Sequence, residues 1–493
     1  MDLGRLIAML APTEVLHEAQ GSVEVLELAY DTRAVTPGSL FFCVRGSRVD
    51  GHDLAGDAVA AGAVALVVEH AVEPAVPQLI VPDSRAAMGA VASEFFGRPS
   101  DDLVVAGVTG TNGKTTTAFL LYAILAAAGL RPGLLGTVEV RIGGERRPAV
   151  RTTPEAIDLQ RLLREMVDAG DRSCALEATS HGSELGRLAG MRYSALVFTN
   201  LTQDHLDLHG TMERYFDAKR RLFVEGEPPR AAVNVDDPYG RRLADELASL
   251  GRAPLLTFGF GDGAGVRLEN LQTTSRGATL TAAGIKLTTP LLGRFNVENV
   301  LGAVAAARLL ELPDDAVATG VASVRGVPGR FEPVDEGQPF LVVVDYSHTP
   351  DSLETALRTA RELAEARVVC VFGCGGDRDR GKRPLMGKAA TEGSDLAIIT
   401  SDNPRSEDPD AIIRDILEGV SGPVEVEPDR AQAIATAVEL AQEGDVVLIA
   451  GKGHEQGQET AGVTVPFDDR DVARDALRRR YQEIGRTVKN PGA

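Results

Sequence analysis

Gly110-Thr111-Asn112-Gly113-Lys114-Thr115 holds the residue types that bind a nucleotide triphosphate. Two glycines let the backbone turn tightly and bring its N–H groups close to an anion. Lys114 then neutralises the β- and γ-phosphates, and Thr115, followed by Thr116, offers a hydroxyl to Mg²⁺. The general spacing G-x-x-x-x-G-K-[ST] is met in part: its first glycine falls on Val108, with Gly107 one residue early. The plainer alternative is an ordinary strand-turn-helix with a chance Gly-Lys-Thr.

A phosphate loop needs a strand before it and a helix after it. Val104–Val108 is a short apolar run that feeds the turn, and Thr115–Ala128 is helix-like. Further strands are expected at Ser173–Leu176, Ala195–Thr199 and Ala231–Val235, so the sheet reads as largely parallel. The Thr- and Gly-rich stretch 255–292 reads as an antiparallel edge or flap. Before this unit, Ser39–Val44 and Ala65–Val68 read as strands around a helical Asp57–Ala61 that Gly62 stops. Gly97-Arg98-Pro99-Ser100 is the expected hinge. After it, strands at Leu341–Asp345, Val368–Phe372, Leu396–Thr400 and Val446–Ala450, with a helix over Ser352–Ala366, make a doubly wound unit whose strand C-termini carry function. The expected fold is α/β in three domains: a small N-terminal α/β domain (1–102), a central P-loop ATPase-like parallel-sheet domain (103–336) and a C-terminal Rossmann-like domain (337–493).

The 493 residues are ample for three cores, and 44% hydrophobic with 25% charged is ordinary for a globular chain. Trp is absent and aromatics are 4%, so the cores rest on Val, Leu, Ile and Ala. A net charge of −20 argues against nucleic-acid binding. Cys43, Cys174, Cys370 and Cys374 form no metal-type pairs and read as reduced, buried thiols. No signal peptide and no membrane-length apolar stretch is visible, so a cytoplasmic setting without membrane insertion is expected, in agreement with a need for ATP; a monomer is expected too. Arg478-Arg479-Arg480 reads as a solvated helix face.

Gly110–Thr116 is not the only recognisable stretch. Glu177-Ala178-Thr179-Ser180-His181-Gly182, Thr199-Asn200-Leu201-Thr202-Gln203-Asp204-His205-Leu206-Asp207 and Tyr215-Phe216-Asp217-Ala218-Lys219 follow it. Gly293–Asn299, Gly329-Arg330-Phe331-Glu332 and Asp345–Pro350 come later. Together, in this order and over nearly the whole chain, they resemble the Mur ligases, which assemble the peptide of bacterial cell-wall precursors, and most of all the branch that adds the third residue.

The resemblance implies roles residue by residue. Glu177 and His205 become Mg²⁺ ligands beside the phosphates, with Thr115. Lys219 becomes a carbamylated lysine whose carboxylate helps hold a second Mg²⁺, which requires an amine that gives up its proton readily. Lys114, Glu177, His205 and Lys219 form the catalytic set. Asn296, Asn299, Arg330 and Asp345 approach the ATP, Asp345 at the ribose; capping of a helix by Asn296 is the alternative. Asp31–Gly38 resembles the uridine-nucleotide segment, so Thr32 goes to the UDP end. Thr152, Thr153, Ser180 and Arg187 hold the muramoyl-peptide, and His181 and His209 are bystanders. Ala178-Thr179 departs from the usual Val-Ser.

Asp402-Asn403-Pro404-Arg405 resembles the signature of the enzymes that take meso-diaminopimelate. That diamine carries a second carboxylate that lysine lacks, and Arg405 offers it a planar fork. Arg378 then binds the carboxylate near the reacting amine, and Gly451 and Glu455 the distal ammonium. The alternative for Arg405 is an ion pair with Glu407 or Asp408. The reaction implied is ATP-dependent amide formation through an acyl phosphate on UDP-N-acetylmuramoyl-L-alanyl-D-glutamate. The rivals are a lysine-adding ligase, a folylpolyglutamate synthase, and a nucleotide-binding protein without catalysis.

Overall fold

The computed structural model describes residues 1–17, 21–46, 49–274 and 276–489. Three sheets organise the chain. Short runs of Val, Ala, Leu and Phe form the N-terminal one: Glu14–Leu16, Gln78–Ile80, Ala63–Val68, Ser39–Phe42 and Glu27–Ala29, in that spatial order. Gly62, at φ +115°, turns the chain between the helix Ala55–Ala60 and its next strand. Tyr30 bonds Asp158 at 2.6 Å and Arg85, on the helix Ser84–Phe95, bonds Glu155 at 2.8 Å, tying this unit to the central one.

The central sheet has eleven strands and is largely parallel, as expected: every pairing from Val266–Thr274 through to Pro132–Leu135 is parallel, and antiparallel strands extend both edges. At its heart Val104–Thr109 lies between Ser173–Glu177 and Ala195–Phe198, all parallel, and nearly every side chain there is buried. Such apolar, β-branched runs are what a sheet covered on both faces requires. The helices Lys114–Ala127 and Arg294–Leu309 cover one face through Leu120, Ile124, Val297, Val300 and Val304. The stretch 255–292 continues this same sheet: Leu255–Gly259 pairs parallel with Arg230–Asn234, and Val266–Thr274, Gly277–Ala282 and Ile285–Thr289 follow as an antiparallel edge. The opposite edge is a hairpin, Glu139–Ile142 with Glu145–Pro148, which no hydrophobic period foretells.

The C-terminal sheet runs Glu332–Pro333, Leu341–Asp345, Val446–Ala450, Val368–Phe372, Leu396–Ile399, Val424–Val426. The helix expected from Ser352 starts at Pro350 and ends at Leu363, because Thr349 and Ser352 close a capping box and proline suits the first helical position. The arginine run lies on the helix Asp469–Lys489 and is only partly solvated: Arg478 pairs with Glu336 at 2.9 Å, and Arg480 lies 5.1 Å over the Phe340 ring. All four cysteines are buried and unpaired, and burial pushes the Cys43, Cys370 and Cys374 thiols up to about 12. No helix among the described residues is long and apolar enough to cross a membrane.

Candidate active site

The strand Val104–Thr109 delivers the chain into the glycine turn at the sheet's C-terminal edge. Gly110 (φ +145°) and Gly113 (φ +84°) are required there. A Cβ on Gly110 would sit 1.9 Å from Thr199 Oγ1, and one on Gly113 would sit 2.2 Å from Asn299 Oδ1. The loop is braced from outside: Asn112 N donates to Asn200 Oδ1 (2.9 Å), and Thr199 Oγ1 donates to the Asn112 carbonyl (2.6 Å). Lys114 folds back over the turn, its Nζ donating to the carbonyls of Gly110 (3.0 Å) and Thr111 (2.7 Å). Burial lowers its pKa.

Glu177 is the last residue of its strand, not the one beyond it, and is fully buried. Its carboxylate accepts from Thr137 N (2.8 Å), Thr137 Oγ1 (3.1 Å) and Thr115 Oγ1 (3.1 Å). Arg330 Nη2 in turn donates to Thr115 Oγ1 at 3.1 Å. Thr115, Glu177 and Arg330 are therefore one connected set across the end of the sheet.

Lys219 approaches from the helix Met212–Val224 and is buried. Its Nζ donates to the Gly110 carbonyl (2.8 Å) and lies 4.9 Å from the centre of the Tyr215 ring. Burial, then the neighbouring Lys114 charge, brings its pKa well below that of a free lysine. His205 is held in the left-handed region (φ +53°), with Nε2 3.4 Å from Asp204 Oδ2 and its ring 4.5 Å from that of His181. Burial depresses His205 to about 4, so the imidazole is neutral and able to offer a lone pair. His209 has the contacts of a satisfied histidine: its Nε2 lies 3.0 Å from Ser180 Oγ, and its ring stacks on Tyr215.

One cavity of about 270 Å³ gathers Thr111–Thr116, Thr152, Glu177, Ser180, His205, Lys219, Asn299, Arg330 and Asp345. Asn296 stands behind it: its Nδ2 bonds the Leu292 carbonyl, and its Oδ1 accepts from Asn299 Nδ2 at 3.0 Å. The helix is capped by Gly293 instead, so Asn296 is not its N-cap. Asp345 accepts from Phe331 N at 2.7 Å and from Ser347. Thr153 and Arg187 lie outside the cavity lining. Thr153 Oγ1 donates to the Glu177 carbonyl (2.9 Å), and Arg187 bonds the Thr153 carbonyl (3.3 Å) and pairs with Glu155 (2.9 Å). Thr32 is also outside, in the short 3-10 turn Thr32–Ala34.

Arg378, Asp402, Asn403, Pro404, Arg405, Gly451 and Glu455 form a second group, beyond the C-terminal ends of three adjacent strands. None lines the cavity. Asn403 Nδ2 donates to Glu455 Oε2 at 2.7 Å. Arg405 Nη1 donates to the Gly376 carbonyl (2.7 Å), and its Nε lies 3.6 Å from Glu459. Glu407 is instead bound by Arg380 and Arg383, which excludes its pairing with Arg405. Tyr346 also lines the cavity: Arg330 stacks 4.7 Å over its ring, and His454 lies 5.2 Å from it.

Several residues that build the site carry no spacing signal in the sequence. Thr137 sits before an unforeseen hairpin, and Asp351, which accepts from Asn112 (3.1 Å) and Thr202 (2.9 Å), lies 239 positions from its partner Asn112. Asn200 falls inside a recognised stretch, so that signal existed. Among the described residues no three His, Cys, Asp or Glu side chains stand close enough to cage a metal. A hydroxyl 3.1 Å from a carboxylate beside a phosphate loop nevertheless suits Mg²⁺, which takes few protein oxygens and completes its shell with phosphate and water.

A phosphate cradle, a buried carboxylate, the buried Lys219 and the half-buried Lys114 on a three-sheet α/β frame define a nucleotide-dependent ligase class. Family patterns agree along the chain: the Mur ligase family catalytic domain matches residues 24–96, the Mur ligase middle domain 108–307, and the glutamate ligase domain 329–453. The chain belongs to the Mur ligase family. A relative from Geobacillus thermodenitrificans (strain NG80-2), named UDP-N-acetylmuramoyl-L-alanyl-D-glutamate--2,6-diaminopimelate ligase, is 49% identical over 474 residues, 93% of this chain and 96% of its own. One of the same name from Solibacter usitatus (strain Ellin6076) is 46% identical, over 97% and 98% of the two chains. A solved structure of that name has a TM-score of 0.67 at 35% identity, covering 92% of this chain and 95% of its own. A Mycobacterium tuberculosis folylpolyglutamate synthase shares the fold alone, at 18% identity, a TM-score of 0.61 and coverage of 74% and 92%.

Proposed function

We propose that this chain joins meso-2,6-diaminopimelate to UDP-N-acetylmuramoyl-L-alanyl-D-glutamate with ATP, as a cytoplasmic monomer. The observation that carries the reading is the phosphate cavity around Lys114, Glu177 and Lys219, together with the Arg405–Glu455 corner beyond the strand ends of the C-terminal sheet. In the first, the loop N–H groups and Lys114 hold the ATP phosphates, Asn299 and Arg330 border the nucleotide, and Asp345 lies at its ribose. The γ-phosphoryl group passes to the D-glutamyl carboxylate; the acyl phosphate is then attacked by the diamine, an amide bond forms and phosphate leaves. Mg²⁺, held by Thr115, Glu177, His205 and a Lys219 carbamate, would neutralise charge on the phosphates.

Lys219 fits carbamylation because burial keeps its amine short of protons. The neutral amine adds to CO₂, a nitrogen–carbon bond forms and one proton is released. Thr152 and Ser180 face the muramoyl-peptide, Thr153 and Arg187 brace them from behind, and Thr32 takes the UDP end. At the Arg405–Glu455 corner Arg378 receives the carboxylate beside the attacking amine, Arg405 the distal carboxylate, and Gly451 and Glu455 the distal ammonium.

The test is phosphate release with ATP, the dipeptide precursor and either diamine. Release that requires both acceptor and amine, and that favours meso-diaminopimelate over L-lysine, is expected. Equal or better turnover with L-lysine would sink the specificity, and release indifferent to acceptor would sink the ligase reading.

A further inference from the structure

Lys452 has no exposed surface, yet it carries an ammonium beside the Arg405–Glu455 corner. Its Nζ donates to Asn403 Oδ1 at 2.9 Å and stands 3.5 Å from Glu455 Oε2. Asn403 Nδ2 donates to that same Oε2 at 2.7 Å. Glu459 N also donates to Asn403 Oδ1, at 3.1 Å, so the amide has a single satisfied orientation. Oε2 of Glu455 is thus occupied from within, and no hydrogen bond among the described residues reaches Oε1.

A fully buried lysine is an expensive way to orient an asparagine, since desolvating an ammonium costs several kcal/mol unless strong partners compensate. Here the partners are one neutral amide and one carboxylate at 3.5 Å. The chemistry of what enters the corner gives the charge a use. An end group that is only an ammonium adds a second positive charge beside Lys452, opposed by a carboxylate already half answered. An end group with both ammonium and carboxylate adds no net charge: the ammonium meets Glu455 Oε1, and the carboxylate meets Arg405 in a positive field.

We infer that Lys452 is a specificity-determining residue whose buried ammonium rejects amines ending in a lone ammonium and admits those ending in an amino-acid zwitterion. The inference rests on the corner being the amine-partner subsite. It deepens that reading by locating the discrimination in a repulsive charge as well as in the Arg405 fork.

Lys452→Met and Lys452→Gln test it, with turnover of meso-diaminopimelate and of L-lysine measured on one preparation of each variant. Partial unfolding scales both amines alike, so their ratio reports specificity alone. The wild-type preference for the zwitterionic amine is expected to fall about tenfold or more in both variants, the size expected when one unit charge is removed at close range. The KM for ATP is expected to stay unchanged. Equal loss with both amines, or inactivity with both, overturns the inference while leaving the wild-type preference intact. A wild-type preference for L-lysine overturns the inference and the reading of the corner together.

Discussion

Glu177 shows how a single side chain here is made by its neighbours. Two bonds from Thr137 and one from Thr115 hold its carboxylate where the phosphate loop opens. Glu177→Gln keeps the shape, removes the charge and sets an amide group against donors. We expect kcat to fall on the order of a hundredfold, the scale of losing one charge-stabilising group, with little change in Tm. A variant that keeps near wild-type turnover excludes a metal or phosphoryl role for Glu177. Lys219→Arg retains a cation but has no amine for CO₂, so activity should drop by about a hundredfold or more. Wild-type activity should also decline in CO₂-depleted buffer and return with bicarbonate, whereas the variant should not respond. At this scale the sequence was informative where residues sit in a recognisable run, as at Lys114, His205 and Lys219. It was silent on Thr137 and Asp351, whose value lies in contacts that spacing does not encode.

Elements place those residues through their ends. The buried strands Val104–Thr109 and Val446–Ala450 were legible because runs of Val, Ile, Leu and Ala with no polar break suit a sheet covered on both faces. The edge hairpin 139–148 was not, because Glu145–Pro148 is polar and wholly exposed. Its first strand nonetheless begins at Glu139, just after Thr137. The glycine turn is the element most sensitive to change. Gly110→Ala adds a Cβ 1.9 Å from Thr199 Oγ1, and Gly113→Ala puts one 2.2 Å from Asn299 Oδ1 at a φ that costs a side chain about 1–2 kcal/mol. Both variants should lose binding of a fluorescent ATP analogue and melt at a lower temperature than wild type. Retained affinity in either would mean that the phosphates do not sit on this turn.

Across the whole molecule, the site depends on segments far apart in the chain: Arg330 reaches Thr115 over 215 positions, and Asp351 reaches Asn112 over 239. The order of the recognised stretches was readable in advance, but the surroundings of Tyr346 were not, since its neighbours Arg330 and His454 come from separate parts of the chain. Half-buried histidines also give the molecule a pH signature. Burial holds His205 and His454 near 4, against 6.5 when unfolded. The unfolded chain therefore binds more protons between those values. Stability from these groups is complete above about pH 6.5 and is lost as pH falls toward about 4. Urea midpoints measured at several pH values should decline through that window, and His454→Gln should flatten the slope by about one proton. A parallel decline in wild type and variant would remove His454 from the account. The ring of Tyr346 on the cavity lining has one more outcome. An acyl phosphate formed beside Glu177 can be spent on water or on the amine, and a bulky ring in the lining leaves less room for water. Removing that ring with Tyr346→Ala should make the enzyme leaky: more phosphate released for each amide bond made, a stoichiometry that drifts away from one even while ATP is consumed as before.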